Sequence, residues 1–413
     1  MNRYWKFFKI KVADIADALL FFVCIKPKET RQINNYAGER ILLFVGQKLD
    51  PRIPRLGKWI NKSKEYATII LCHKDYYVKE YASKNQGLVL FYRNEWHLRR
   101  IVSSAKVYLI HGYAPLSKFP AIALEAAKKY NKDIPFIMDY QDVYVTYFGK
   151  NPGDRIAWLK DDLKYEEYCF NNADGLIADS MEPYVADKLW NKKKISSRLF
   201  FPLYADDESF AGNNAKIATD ETHLVYVGGL VRQGVDAYFG GIAQLHWLID
   251  MLLPQKIHLH VYPSLNVTKL DIEDYKRIAT ENKYFHIHDS VTQENLSEEL
   301  SQYHYGLIPF FRGTSDYDDA KFKNAATLKI FNYLEAGIPV LTSRDYEFQG
   351  WLTERYKLGF VFDKKEDFKN LSDKIAVTPY ALQVANLIKG RERLSLKAQY
   401  PRVLKFYDSF NKG

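Results

Sequence analysis

Lys329 lies in a stretch, Asn324 to Ser343, whose residue types could hold an anion. The order Asn324-Ala-Ala-Thr327-Leu328-Lys329-Ile330-Phe331-Asn332-Tyr333-Leu334-Glu335-Ala336-Gly337-Ile338-Pro339-Val340-Leu341 predicts a helix, a tight stop and a buried strand. Asn324 or Thr327 is placed to cap the first turn, Leu328, Phe331 and Leu334 recur at core-facing spacing, and Gly337 with Pro339 ends the helix. A lysine in the first turns opposes the helix dipole, which favours negative charge there, so an anion at the helix mouth accounts for Lys329. A solvated surface lysine is the alternative. Asn332 and Tyr333 share a helical face with Lys329, and that polar face suits a phosphorylated ligand.

The elements that must position this stretch are short apolar runs separated by helix-length segments. Ile41–Val45, Ala67–Leu71, Leu88–Phe91, Val107–Ile110, Pro135–Met138 and Gly175–Ala178 form a first series. Leu224–Val227, Ile257–Val261, Tyr305–Pro309 and Val340–Leu341 form a second. Buried strands alternating with helices predict an α/β chain with two doubly wound, mainly parallel sheets, whose ligands gather at strand carboxyl ends. Those ends carry His111-Gly112, Asp139-Tyr140-Gln141-Asp142, Asp179-Ser180 and Gly228-Gly229. Asp142 and His111 are candidates for orienting a hydroxyl or accepting its proton, with capping or structural roles as the alternative. Gly228 and Gly229 allow close backbone approach to a phosphate, although a tight turn alone also calls for glycine. The polar, pattern-poor residues 205–221 mark a linker between a domain over 39–204 and one over 222–375, with an appendage at 1–38.

With 413 residues and 47% apolar composition, the chain is long enough for two cored domains and excludes global disorder. Cys24, Cys72 and Cys169 show no CxxC or metal spacing, which points to a reducing compartment and predicts a cytoplasmic location. Residues 1–130 hold 24 Lys/Arg against 10 Asp/Glu, and the remainder 35 against 40. That asymmetry points to an anionic partner for the front of the chain, or else to a solvated basic surface. In residues 1–35 aromatics and lysines interleave around Tyr4–Val12, and Ala18–Ile25 is an apolar run too short to span a bilayer. Asp14 and Asp17 interrupt both a longer span and the apolar stretch of a signal peptide, so an interfacial helix on an anionic membrane is expected, or else a helix packed on the domain. Nucleic acid is not expected, since no recognised binding motif occurs.

Lys329-Ile-Phe-Asn332-Tyr333-Leu334-Glu335-Ala336-Gly337-Ile338-Pro339-Val340 resembles the donor-site phrase "K-x-x-E-Y-L-x-x-G-x-P-V" of GT-B glycosyltransferases, particularly the retaining nucleotide-sugar-dependent family (glycosyltransferase family 4-like, group 1). Val227-Gly228-Gly229-Leu230-Val231-Arg232-Gln233-Gly234 is similar to its "V-G-R-L-x-x-x-K-G", and Asp139–Asp142 to "D-x-H-D". Tyr165–Gly175 is similar to the family's "E-x-x-x-x-x-x-A-D-x-I" passage, and Gly359–Asp363 to its "L-G-x-V-V-D" strand. Gly229, Gln233, Asn324 and Asn332 stand where the family usually has charged residues. The resemblance covers roughly residues 40–375 and implies two Rossmann-like domains, with C-terminal helices over 376–413 crossing back to the first.

It further implies transfer of a sugar, with retention, from a nucleotide-sugar co-substrate to a saccharide or lipid-linked acceptor, in bacterial-type surface polysaccharide or glycoconjugate synthesis. Such transfer develops negative charge on the departing phosphate, which cations and helix dipoles must stabilise where no metal does. Lys329 is the first choice and Arg232 the second, Gly228 and Gly229 give backbone approach, and Asn332 and Tyr333 are candidates to bond ribose or sugar. Glu335 is a candidate replacement for the acid missing at Asn332, or else a helix-surface glutamate. No cofactor and no metal are expected: His258 and His260, like His286 and His288, alternate on a strand without further ligands in sequence. Two readings stay open beside transfer, a GT-B-like accessory protein without chemistry and a nucleotide-sugar epimerase.

Overall fold

Runs such as Ile41-Leu-Leu-Phe-Val45 combine aliphatic and aromatic residues with no polar alternation, which suits strands covered on both faces. The structure is a computed structural model describing residues 12–21, 26–36, 38–77, 79–82, 84–114, 116–152, 157–191, 197–212, 216–217, 221–234, 243–264, 267–311 and 323–410. The chain divides into two units, residues 1–202 with 400–413, and residues 203–399.

In the first unit the strands are β1 (Ile41–Val45), β2 (Ala67–His73), β3 (Leu88–Tyr92), β4 (Leu109–Tyr113), β5 (Phe136–Tyr140), β6 (Gly175–Ala178) and β7 (Ser197–Phe200). They form one sheet in the order β3-β2-β1-β4-β5-β6-β7, and every pair is parallel. Every residue of β1, β4, β5 and β6 is buried. The strand order reverses between β1 and β4, which opens a crevice at their carboxyl ends. β7 went unread in the sequence because Ser197-Arg198 lacks an apolar run and the strand is only partly covered.

The second unit repeats the plan with β8 (His223–Gly228), β9 (His258–Pro263), β10 (Phe285–Ile287), β11 (Tyr305–Ile308), β12 (Val340–Ser343) and β13 (Gly359–Phe362). Its sheet runs β10-β9-β8-β11-β12-β13, again all parallel, and its switch point lies between β8 and β11.

Three expectations about boundaries change. The Lys329 helix spans Lys329–Ala336 with Leu328 at its N-cap position, so Asn324 lies outside it. Thr327 Oγ1 only accepts a long 3.5 Å contact from the Lys329 amide. Gly337 does end the helix, in the left-handed conformation at φ 71°. Residues 205–221 are not a bare linker: Ala205 bridges to Ser395, and Lys216 Nζ donates to the carbonyls of Ser301 and Tyr303 at 2.7 and 3.0 Å. The helices Leu371–Ala376 and Tyr380–Arg393 belong to the second unit, and the return to the first begins at Tyr400, within the helix Leu396–Asp408, rather than at 376.

Of the front appendage, residues 1–11, 22–25 and 37 lie outside the described residues. Residues 12–21 are helical and tied down through buried Asp17, which accepts from Arg93 at 2.9 Å, Arg100 at 2.7 Å and Asn94 at 3.1 Å. Among the described residues no helix is long and apolar enough to cross a membrane.

Candidate functional site

At the switch point of the second unit, β8 ends in Gly228 with φ at +139°, a backbone conformation that L side chains rarely adopt. A Cβ built there would lie 2.7 Å from Lys329 Cε and 2.9 Å from its Nζ. The Lys329 ammonium also lies over two rings, 5.5 Å from the Tyr226 centroid and 5.0 Å from that of Phe310. Tyr226 comes from β8 and Phe310 from just beyond β11, so the two strands that diverge at the switch point both supply the bed on which the ammonium rests. Each such contact contributes on the order of 0.5–2 kcal/mol. The bed holds a half-buried cation against a glycine backbone at the place where a parallel sheet receives ligands. Sequence reading named Gly228 and Lys329 but missed Tyr226 and Phe310. The available signal was their position, two residues before the glycine and one after Pro309.

The other residues of the Lys329 helix do different work. Tyr333 is fully buried, and its hydroxyl accepts from the Val227 amide at 3.3 Å and donates to the Leu307 carbonyl at 2.8 Å. Its ring packs over Gly306, where a Cβ would come within 2.3 Å. Tyr333 is therefore a strut joining β8 to β11, not a ligand contact as the shared helical face suggested. Glu335 is buried as well: its carboxylate accepts from the Asp206 amide at 2.8 Å, so it is neither a surface residue nor a free acid. Asn332 is half-buried and its Oδ1 faces Gln293 Nε2 at 3.4 Å. Gly229 is exposed, and its carbonyl accepts from Tyr226 Oη at 2.8 Å. Arg232 follows on the same turn, where Asp271 accepts its backbone amide at 3.0 Å.

At the first unit's switch point the polar groups are buried. Arg52 lies within reach of three carboxylates, with Nε 3.0 Å from Asp50 and Nη1 3.5 Å from Asp139 and 3.3 Å from Asp179. Burial disfavours its charge, but the three carboxylates outweigh that and raise its pKa. The carboxylates diverge. Burial works to raise Asp139, yet Arg52 and His111 hold it below its usual range, whereas burial, only partly offset by Arg52, pushes Asp179 well up. His111 is wholly buried with both ring nitrogens engaged, Nδ1 at 2.7 Å from Tyr407 Oη and Nε2 at 3.3 Å from Asp139. It positions Asp139 and has no face open to an acceptor hydroxyl. Asp142 is half-buried past the end of β5. The peptide beside it is fixed: Glu182 accepts from the Val143 amide at 2.7 Å, and Glu166 accepts from Tyr144 at 2.8 Å and Val145 at 3.1 Å.

Residues 253–402 match the family model described as "Glucosyltransferase 3-like, C-terminal domain". No curated protein matches the chain. Among solved structures, the Anabaena protein HepE in complex with UDP-glucose aligns with a TM-score of 0.62 at 11% identity, covering 89% of this chain and 99% of that one. The N-terminal domain of Candida albicans trehalose-6-phosphate phosphatase aligns at 0.58 and 10% identity, over 90% and 97% of the two chains. A putative UDP-N-acetylglucosamine 2-epimerase from Listeria monocytogenes aligns at 0.52 and 10% identity, over 91% and 98%. Topology and likeness define a GT-B fold. The likeness to the glucosyltransferase 3-like C-terminal domain is confined to residues 253–402, nearly all of them in the second unit.

Proposed function

We propose that the protein is a glycosyltransferase that moves a sugar from a nucleoside-diphosphate donor to a saccharide or lipid-linked acceptor. The observation that carries this reading is the Lys329 ammonium held against Gly228 between β8 and β11. In the reaction the bond from the anomeric carbon to the diphosphate breaks and one to the acceptor oxygen forms. Lys329 and the amino end of its helix stabilise the charge left on the leaving phosphate, so no metal is needed for that step. Asp142 takes the proton of the acceptor hydroxyl. Net retention and a role in surface polysaccharide or glycoconjugate synthesis belong to the same proposal and rest on the sequence resemblance.

A peripheral position on the inner face of a membrane extends it. Val12, Ile15 and Leu19 line up along helix 12–21, and each is about half exposed or more. Beside that helix a cavity of about 630 Å³ is lined by Phe21, Trp96, Lys26, Arg99 and Arg100, among others, a mixture suited to lipid headgroups and proximal acyl chains. Flotation on anionic liposomes is expected for the full chain and lost without residues 1–35, and equal flotation of both removes the membrane part.

A mass-spectrometric screen of nucleotide sugars with mixed acceptors tests the central reading, starting from UDP-glucose. Transfer requires donor loss coupled to a product heavier by one sugar. Donor interconverted without acceptor would make the protein an epimerase, and no donor bound at millimolar concentration would make it an accessory protein.

A further inference from the structure

Six of the ten histidines lie on or next to β8, β9, β10 and β11 in the second unit, away from Gly228 and Lys329. Parallel register places His223 of β8 opposite His258 of β9, and His260 of β9 opposite His286 of β10. Side chains two apart on a strand share a face, so His258 and His260 rise on the same side and meet their neighbours. The rings of His223 and His258 stack 4.2 Å apart at 4°, and those of His260 and His286 4.3 Å apart at 11°.

One ring nitrogen from each of His223, His258 and His260 lies within 4.8 Å of the others. His223 Nδ1 and His260 Nε2 are 2.8 Å apart, and His223 Nε2 is buried with no hydrogen-bond partner among the described residues. His223 and His260 are 5% and 6% exposed. An orphaned imidazole nitrogen in that setting is costly unless something accepts its lone pair or its proton. Partners hold other nitrogens of the group: Glu221 lies 2.6 Å from His258 Nε2, His288 Nε2 lies 3.0 Å from His260 Nδ1, and His286 Nε2 lies 2.8 Å from His258 Nδ1, a contact the ion would replace. A carboxylate or acceptor behind a ligating imidazole is the usual way a metal-binding histidine is oriented.

We propose that His223, His258 and His260 form a site for a divalent transition-metal ion of the zinc class, with Glu221 and His288 orienting the ligands. Three imidazoles and no thiolate suit Zn²⁺, Co²⁺, Ni²⁺ or Cu²⁺ and disfavour Mg²⁺ and Ca²⁺, which take oxygen. Tetrahedral bonds of about 2.0–2.1 Å set ligand nitrogens roughly 3.3 Å apart, so the His223–His260 pair opens by about half an ångström to admit the ion. The fourth position falls to water. The six residues of β8 from His223 to Gly228 span about 16 Å, which separates this site from the donor bed. The ion therefore ties β8 to β9 and does not take part in sugar transfer.

Tag-free, chelator-treated protein titrated with Co²⁺ tests the site. One equivalent is expected, with visible absorption of tetrahedral intensity that Zn²⁺ displaces. His223→Gln and His258→Gln are each expected to weaken binding at least about tenfold, while His246→Gln, outside the cluster, stays within about twofold. No uptake by the wild type below about 100 µM overturns the proposal even if a variant misfolds, because that affinity is far weaker than a built three-histidine site gives. Equal affinity of all three variants and the wild type overturns it too.

Discussion

The two units wind their sheets by the same rule and furnish the crevice differently. In the first, the space between β1 and β4 is closed: Tyr113 packs on Gly46, where a Cβ would come within 2.3 Å, and Arg52 sits among three buried carboxylates. In the second, the corresponding space holds one half-buried lysine on two aromatic rings beside a glycine. A buried ion cluster is satisfied within the protein and fixes structure, whereas the Lys329 side chain is only half-buried. Topology names the place where a ligand can bind, and side-chain bookkeeping at that place decides whether one does.

Breaking the closed crevice should produce the largest effect. Arg52→Ala leaves buried Asp139 with only His111 beside it and is expected to cost about 3–5 kcal/mol in urea unfolding of the first unit. A loss under about 1 kcal/mol would mean that the cluster is solvated after all. Lys329→Ala is expected to lower the transfer rate about 10²–10³-fold with an unchanged melting temperature, and Lys329→Arg to recover part of it. Full transfer by the alanine variant would strip the open crevice of its assigned role. Tyr333→Phe separates a strut from a ligand contact: unfolding should lose about 1–3 kcal/mol while donor KM stays within about twofold. A large rise in KM without loss of stability would return Tyr333 to the binding face.

The smallest effect concerns the paired carboxylates on Arg52. Because burial pushes the Asp179 carboxyl up, Asp179→Asn should change stability by less than about 1 kcal/mol near pH 4, at the low end of the window. The raised pKa also sets a sign. Above pH 3.8 the unfolded chain releases this proton and the folded chain retains it, so wild-type stability falls as pH rises until the folded group ionises. The asparagine variant lacks that slope and gains on the wild type across the same window, which paired melts from pH 4 to 8 would record.

The strands were legible because burial on both faces writes itself as uninterrupted apolar runs, and Ile41–Val45 and Gly175–Ala178 coincide with β1 and β6, whereas the half-covered β13 was read only through the family resemblance. Lys329 and Gly228 were legible because each breaks a local rule, one of helix electrostatics and one of backbone conformation. Tyr333 misled because helical spacing gives a shared face but not what that face meets: one turn on from Lys329, the helix already lies against β8 and β11. Arg52, Asp139, Asp179, His111 and Tyr407 were illegible as a group, since positions 52 to 407 meet only through the sheet. His223 belongs to the histidine cluster through inter-strand register, which no spacing along one strand reveals.

The fixed peptide around Asp142 has a dynamic consequence. Three residues before it, Asp139 is gripped by Arg52, and the three amides after it are each held by a buried glutamate. Those amides should exchange with deuterium as slowly as strand amides although they join a strand to a short helix. In the proposed reaction, the rotational freedom that a loop-borne base must surrender is therefore surrendered at folding, before any acceptor arrives.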